Sequence, residues 1–500
     1  MNKKIRLLFL IISFASILLI GLRFKNEPTG YLHSWNQITT LAVIKSIAED
    51  IGNILYPKDV TSLLSWRNSE INSTEDQFTI YEEFPLYHLV VASLSKNPKT
   101  HIRLARVLTI AFLGVFLLSI FNISKNLAGT NQTNIFCVLS ALISFPILYY
   151  GQATMSDMPM AALIAYALSC ITNPQFFQKT SCSIKAASAI AFAGLFKSYA
   201  ILFAPLLLAL AVERSSKWNQ KFLACLGSLA ATIPVLVWHY FSFMQSGHQE
   251  MNSHSFYRKL EMLSSSEFYF AILGYLIRYL GILPFLVLII WIIVKYKSLD
   301  CCNKKYWWVM PWVALSFIFL LATADKVIYH DYYMLVIIAP LFIATGNALN
   351  WAWVYLEKIK SRKDLAVVVF ITAIFLTYGL SIKSFIKATK PNQDVHECAE
   401  LISQVTDKDD LIVTLASSER YNSLEYFSAR KGFSYQSEYP LTEYIKSGTK
   451  YFVINLLVAE RANLDSSILA QLKAMKLIDS KADLRDFKGR KRVCEIYELR

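Results

Sequence analysis

Along most of this chain the apolar residues do not recur at the spacing of an amphipathic helix or strand; they gather into long runs. A helix needs about 18 or more such residues to cross a bilayer. By that rule the pattern predicts about eleven spans, near residues 7–22, 103–122, 134–150, 157–172, 184–197, 199–213, 222–243, 278–296, 307–324, 333–350 and 364–385. Two of these are short enough to be half-buried or merged. The first run follows "MNKK" and shows no small-residue cleavage site, so it reads as a retained anchor.

Two stretches break the pattern. Between the first and second spans lies a long loop, 23–102, in which "ITTLAVIKSIAEDIG" has helical spacing and "FPLYHLVVASLSK" is apolar but too short to span. Both suit helices lying in the membrane interface. Past residue 390, "PNQDVHECAELISQV" reads as a helix and "LIVTL", "YFVIN" and "VCEIYEL" as short strands. The expected architecture is therefore an α-helical polytopic membrane domain over 1–390 and a small soluble α/β domain over 391–500.

The formal net charge of +14 would suit a nucleic-acid partner, but the basic residues sit in short loops between apolar runs. With the N-terminus cytoplasmic, the inner loops become "SKNLAGTNQTN", "NPQFFQKTSCSIK", "ERSSKWNQK", "KYKSLDCCNKKY" and "EKIKSRKD", nearly all of them basic. The charge is thus a topology signal and no nucleic acid is expected. The outer side receives the loop 23–102, the turn "SDMP", the turn at Lys197, the loop 244–277, the turn "ADKVIYHDYY" and the whole tail. Of eight cysteines only Cys398 and Cys494 fall in the tail, near its two ends; a disulfide and a pair of buried thiols both remain open. The other six show no zinc-ligand spacing.

That topology brings a set of chemistry-bearing residues to one face. They are His33, Trp35, Asn36 and Gln37 in "HSWNQ", Glu82 and Glu83 in "YEEFP", Asp157 in "SDMP", Lys197 in "GLFKSYA", His239 in "VWHYF", and His330, Asp331, Tyr332 and Tyr333 in "YHDYY". Each has a plainer reading. Asp157, with Pro159 after it, suits a helix cap; Lys197 suits a snorkelling lysine; the tyrosines suit an interfacial belt; His239 suits a satisfied interfacial histidine. Glu82 and Glu83 are harder to explain structurally, because adjacent acids at a membrane surface carry a desolvation cost.

The order "HSWNQ", "NILYP", "EFPLY", "SDMP", "GLFKSYAILFAPLL" and "YHDYYMLVIIAPL" resembles the polyprenyl-phosphate-sugar-dependent glycosyltransferases of the GT-C fold, over residues 1 to about 390. Within them it is most similar to bacterial relatives of protein O-mannosyltransferases and of the aminoarabinose transferase acting on lipid A. The resemblance implies transfer of a sugar from a polyprenyl-phosphate donor to an acceptor hydroxyl or amide at the outer face of a bacterial plasma membrane. The acceptor, glycolipid, polysaccharide or protein, stays open, and so does a divalent metal.

The resemblance also implies roles. Glu83 is the first choice for activating the acceptor or holding a metal, with Glu82 beside it, and Asp157 for orienting acceptor or sugar. Lys197 and His330, with Tyr332 and Tyr333, would meet the carrier phosphate. His33, Trp35, Gln37 and Asp331 would line the sugar or acceptor pocket. Many relatives carry an aspartate in a Trp-x-Gln-x-Asp pattern where this chain has Thr39, which cannot act as a base near neutral pH. Either another acid, Glu83, Glu82 or Asp50, takes its place, or the chain is an inactive scaffold on the same frame. A lipid or sugar transporter is a further alternative, but it predicts midplane charges and a repeat that the sequence lacks.

Overall fold

A computed structural model describes residues 3–24, 28, 32–55, 57–59, 78–79, 83–127, 129–173, 176, 180–206, 218–245, 253–297, 309–358, 363–416, 423–435, 440–486 and 489–499. Its larger part is a helical bundle whose surface is apolar. Helix α1 (Lys3–Arg23) buries Ile5, Leu8 and Ile12 and turns Leu7, Phe14, Ile17 and Leu22 outward. A helix that is apolar on every side, with large side chains left exposed, suits lipid rather than water.

The remaining helices of the bundle are α2 (Ser34–Glu49), α3 (Leu86–Leu94), α4 (Pro98–Asn126), α5 (Asn131–Leu142), α6 (Phe145–Tyr150), α7 (Asp157–Thr172) and α8 (Thr180–Phe196). They continue as α9 (Trp218–Gln245), α10 (Ser253–Ser264), α11 (Ser266–Leu280), α12 (Ile282–Lys297), α13 (Val309–Ala322), α14 (Ile338–Glu357) and α15 (Lys363–Ala388). Four of the described helices are long and apolar enough to cross a bilayer, within α1, α4, α9 and α15, and the pair α11–α12 makes a fifth if taken as one span. The other expected spans fall on shorter helices such as α7, α8 and α13, on α14, or on the pair α5–α6. The run expected at 199–213 begins as a 3-10 turn, Ser198–Phe203, and its end lies outside the described residues.

Two breaks shape the site. Pro146 stands in the first turn of α6, where its missing N–H costs nothing, so the run expected as one span at 134–150 is two helices with a step at Ser144. Between α11 and α12 the chain turns by 105° at Gly281. Gly281 has φ 79°, and a Cβ there would stand 2.3 Å from Thr377 Cγ2, so only glycine fits. The span expected at 278–296 therefore starts on the wrong side of a bend, and Arg278 belongs to the last turn of α11.

Helix α2 also departs from expectation. It was read as lying in the interface, yet ten of its sixteen residues are buried, Ile38, Leu41, Val43, Ile44 and Ile47 among them. It packs against α3 and α4 and, on another side, against the tail. The expected short apolar helix, α3, forms as predicted and buries Tyr87, Val91 and Ala92.

The tail is an α/β unit. Its strands β3 (Leu411–Ala416), β4 (Lys431–Ser434), β5 (Thr449–Leu457), β6 (Lys476–Arg485) and β7 (Lys491–Glu498) follow a two-residue ribbon, β1 (Lys58–Asp59) with β2 (Phe78–Thr79), in the first loop. The sheet order is β4-β3-β5-β7-β6; β3 runs parallel to β4 and β5, and β7 antiparallel to β5 and β6. Period-two alternation sends Ile412, Val453, Cys494 and Ile496 to one face, where helix α16 (Gln393–Val405) packs, and Val413, Phe452, Ile454 and Tyr497 to the other. Cys398 of α16 and Cys494 of β7 form a disulfide, Cα atoms 5.6 Å apart, which resolves the alternative left open by the sequence. The short helix α17 (Ser423–Ser428) packs on α2, and its Tyr426 joins the core of the bundle. The tail thus sits on the helix that begins at "HSWNQ".

Candidate active site

The site assembles from helix ends and connections. Helix α2 starts at His33, whose backbone is left-handed (φ 49°, ψ 31°), a conformation uncommon outside glycine and held here by the surrounding structure. Its imidazole Nε2 lies 2.8 Å from Oδ1 of Asp331, and both side chains are at most 5% exposed. Asp331 opens a 3-10 turn, Asp331–Val336, which leads into α14. The Tyr150 hydroxyl, from the end of α6, donates to the same carboxylate oxygen. Arg278 Nη1 approaches the other oxygen at 3.5 Å, and the Tyr279 hydroxyl donates to the Asp331 backbone carbonyl at 2.7 Å. Burial alone would raise the Asp331 carboxyl; the His33 hydrogen bond and charge, Arg278 and Tyr150 outweigh it and hold the group below the usual carboxylate range.

A second cluster forms around Lys197, in the extended residue between α8 and its following turn. Its Nζ lies 2.9 Å from Glu83 Oε1 and 3.9 Å from Asp157 Oδ2, with the lysine side chain 13% exposed. Lys197 is therefore buried and paired, not a snorkelling lysine. Asp157 is the first residue of α7 rather than its cap; its Oδ1 accepts from the Tyr199 hydroxyl at 3.3 Å. Beside this cluster stands His88 of α3, whose imidazole is pushed down to about 3 by burial, with Lys197 adding to the effect.

An aromatic layer joins the clusters. The Tyr332 ring lies 5.0 Å from the His33 ring and 6.0 Å from Lys197 Nζ, so it touches both clusters. His330 stacks on Tyr332 at 5.3 Å and meets Trp35 at 5.8 Å; Tyr333 lies 4.8 Å from Tyr332. Burial, with His33 and Lys326 nearby, pushes the His330 imidazole down to about 4 against the pull of Asp331.

Of the expected residues, His33, Trp35, Glu83, Asp157, Lys197, His330, Asp331, Tyr332 and Tyr333 come together. Gln37 holds the frame: its amide donates to Tyr149 at 3.1 Å and accepts from the Thr154 backbone N–H at 3.1 Å, tying α2 to the loop before α7. His239 is half-buried on α9 beside Trp238, whose ring meets Phe84 edge-on at 5.1 Å, and among the described residues no contact brings His239 itself to the cluster. Glu82 lies outside the described residues, and Thr39 is half-buried within α2. Sequence reasoning missed Arg278, Tyr150 and Tyr199. Arg278 carried a usable signal, as the only charge between Glu267 and Lys295 in an apolar run. No group of three metal-ligating side chains exists among the described residues, and Glu83 Oε1 already faces Lys197, so these residues do not fit a resident metal.

No family model and no curated relative matches the sequence. Solved structures do. The chain is similar to ArnT from Cupriavidus metallidurans bound to undecaprenyl phosphate (TM-score 0.60, 13% identity, 97% of both chains covered). It is also similar to the oligosaccharyltransferase of Archaeoglobus fulgidus (TM-score 0.58, 11% identity, 89% of this chain and 69% of that one). The arabinofuranosyltransferase AftD from Mycobacteria gives a TM-score of 0.52 at 11% identity, and this chain spans 42% of its length. The chain has the polytopic GT-C fold, as the sequence motifs implied.

Proposed function

We propose that this protein is a membrane glycosyltransferase that moves a sugar from a polyprenyl-phosphate donor to an acceptor at the outer face of a bacterial plasma membrane, in building or modifying a cell-envelope glycan or glycolipid. The observation that carries this reading is the division of charge between two clusters that both reach Tyr332. Around Lys197 two carboxylates meet one cation; around Asp331 one carboxylate meets Arg278 and His33. A transfer that expels a phosphate needs such a contrast, carboxylates where a hydroxyl attacks and cations where negative charge grows.

Glu83 and Asp157 then form the acceptor side, with Glu83 taking the acceptor proton and Lys197 holding both acids in place. Lys197, expected from the sequence to hold phosphate, is surrounded by negative charge and suits that role poorly. Arg278 suits it better, being about one third exposed and stacked 4.1 Å over the Phe145 ring. His330, Tyr332 and Tyr333 complete the phosphate and sugar side, with Trp35 as a stacking wall for the sugar. The likeness to a protein solved with undecaprenyl phosphate supports a polyprenyl carrier, which supplies the leaving phosphate. An inactive scaffold, the reading suggested by Thr39, gives no reason for burying this many ionisable groups in one place.

The test is lipid analysis of cells making either the wild-type protein or Glu83→Gln. The proposal expects sugar-charged carrier to accumulate in cells with the variant relative to cells with the wild type. Equal levels, with both proteins inserted at equal amounts, would remove Glu83 from the reaction.

A further inference from the structure

Resting on the transferase reading, the geometry points to His33 as the group that delivers a proton to the departing carrier phosphate, with Asp331 as its positioning residue. Nothing in the sequence motifs assigns it this role; there it lined the sugar pocket. Three observations carry it. First, Nε2 is committed to Asp331 Oδ1 at 2.8 Å, so a proton delivered by His33 would come from Nδ1. Second, that carboxylate is itself fixed on every side, by Tyr150 on the same oxygen, Arg278 on the other and Tyr279 on its backbone, so the imidazole has one orientation. Third, His33 sits at the start of α2 in a left-handed conformation that costs free energy, and a buried structural ion pair does not require one.

His33 also lies on the phosphate side. It shares Asp331 with Arg278, its ring is 5.9 Å from His330 and 5.0 Å from Tyr332, and the acids Glu83 and Asp157 are paired with Lys197 instead. In the step, the acceptor oxygen forms a bond to the anomeric carbon while the bond from that carbon to the phosphate oxygen breaks and its electron pair leaves with the phosphate. His33 Nδ1 gives its proton to the phosphate; the acceptor proton passes to Glu83 and then to water, and water reprotonates His33. A phosphomonoester has a second pKa near 6, so a protonated imidazole is well matched to such a leaving group around neutral pH.

The experiment measures binding of undecaprenyl phosphate, the leaving group itself, to the full-length protein in nanodiscs from pH 6 to 9. The groups around His33 are Asp331, His330 and Tyr332 from the connection before α14, Tyr150 from α6, Arg278 from α11 through the shared Asp331 and, through the field, Asp157 from α7. Of these, His330 is the other imidazole, so His330→Gln is run beside the wild type. The proposal expects wild-type affinity to fall as pH rises, and His33→Asn, which tolerates the left-handed backbone, to bind roughly tenfold or more weakly below neutrality with a flat profile. Asp331→Asn, which removes the charge that holds His33, should weaken binding below neutrality as His33→Asn does, and His330→Gln should leave the pH dependence in place. Tight wild-type binding with an unchanged profile in His33→Asn overturns the inference and leaves the transferase reading standing. No wild-type binding at any pH overturns both.

Discussion

Glu83 Oε1 and Lys197 Nζ stand 2.9 Å apart, and this contact ties the end of the first loop to the turn after α8. Neither residue is near the other in sequence, and neither has a local structural reason to be charged. Removing one partner leaves the other charge poorly solvated, at a cost of roughly 3–5 kcal/mol where a pair is buried. Lys197→Met should therefore lower thermal stability and abolish transfer together, whereas Glu83→Gln, which keeps a hydrogen-bond acceptor, should abolish transfer with a far smaller drop. Melting curves in detergent, read beside lipid-linked sugar turnover, separate the two.

Arg278 gives a sharper test of where the phosphate lies. Changing Arg278→Ala leaves Asp331 bonded to His33 and Tyr150, so the fold should persist. Undecaprenyl phosphate affinity should fall roughly tenfold or more, the scale of one charge-assisted hydrogen bond. A larger loss in Lys197→Ala than in Arg278→Ala would return the phosphate to the Lys197 side.

Acid should destabilise the fold through His88, His330 and Asp331, whose signs agree. The His330 imidazole is lowered from 6.5 to about 4 in the fold, so between those values the unfolded chain binds the additional proton. The Asp331 carboxyl is also lowered from its ordinary 3.8, so further stability is lost as pH falls through and below that value. Melting temperature should decline from pH 7 toward pH 4, and His330→Gln should flatten the upper part of that decline. An unchanged slope in the variant would contradict the assignment of His330.

The disulfide yields a prediction about the tail. It closes a loop with 96 residues of separation, and losing such a link costs roughly 2–5 kcal/mol. Cys398→Ala with Cys494→Ala should lower the unfolding temperature of the tail, followed by proteolysis. Because α17 packs on α2, looser tail packing should also reduce transfer. Transfer at the wild-type level with a destabilised tail would show that the contact with α2 is dispensable.

The sequence made the bundle legible because apolar runs report directly on lipid, and it made the tail legible through period-two strands such as "YFVIN". It placed nine candidate residues that do converge. It misjudged what depends on tertiary packing. The amphipathic spacing of α2 looked interfacial because the cover supplied by the tail is not a local property. The bend at Gly281 was invisible inside an apolar run, and with it the placement of Arg278. Nothing in the sequence singled out Tyr150 and Tyr199, whose hydroxyls reach Asp331 and Asp157 only through the fold. The pairing of Lys197 with Glu83 and Asp157 was not legible, because both acids are distant from it in sequence. Thr39 drew notice as a missing acid, while the residue that reaches a buried carboxylate is the start of the same helix, His33.

The most direct test of the account is native mass spectrometry of the purified protein for lipid that travels with it, compared with Glu83→Gln. The account predicts a bound polyprenyl phosphate bearing a sugar, held at higher occupancy in Glu83→Gln because the variant binds the donor and does not consume it. Purified wild type and variant that both lack a polyprenyl phosphate, and that take up none when undecaprenyl phosphate is added, would contradict it.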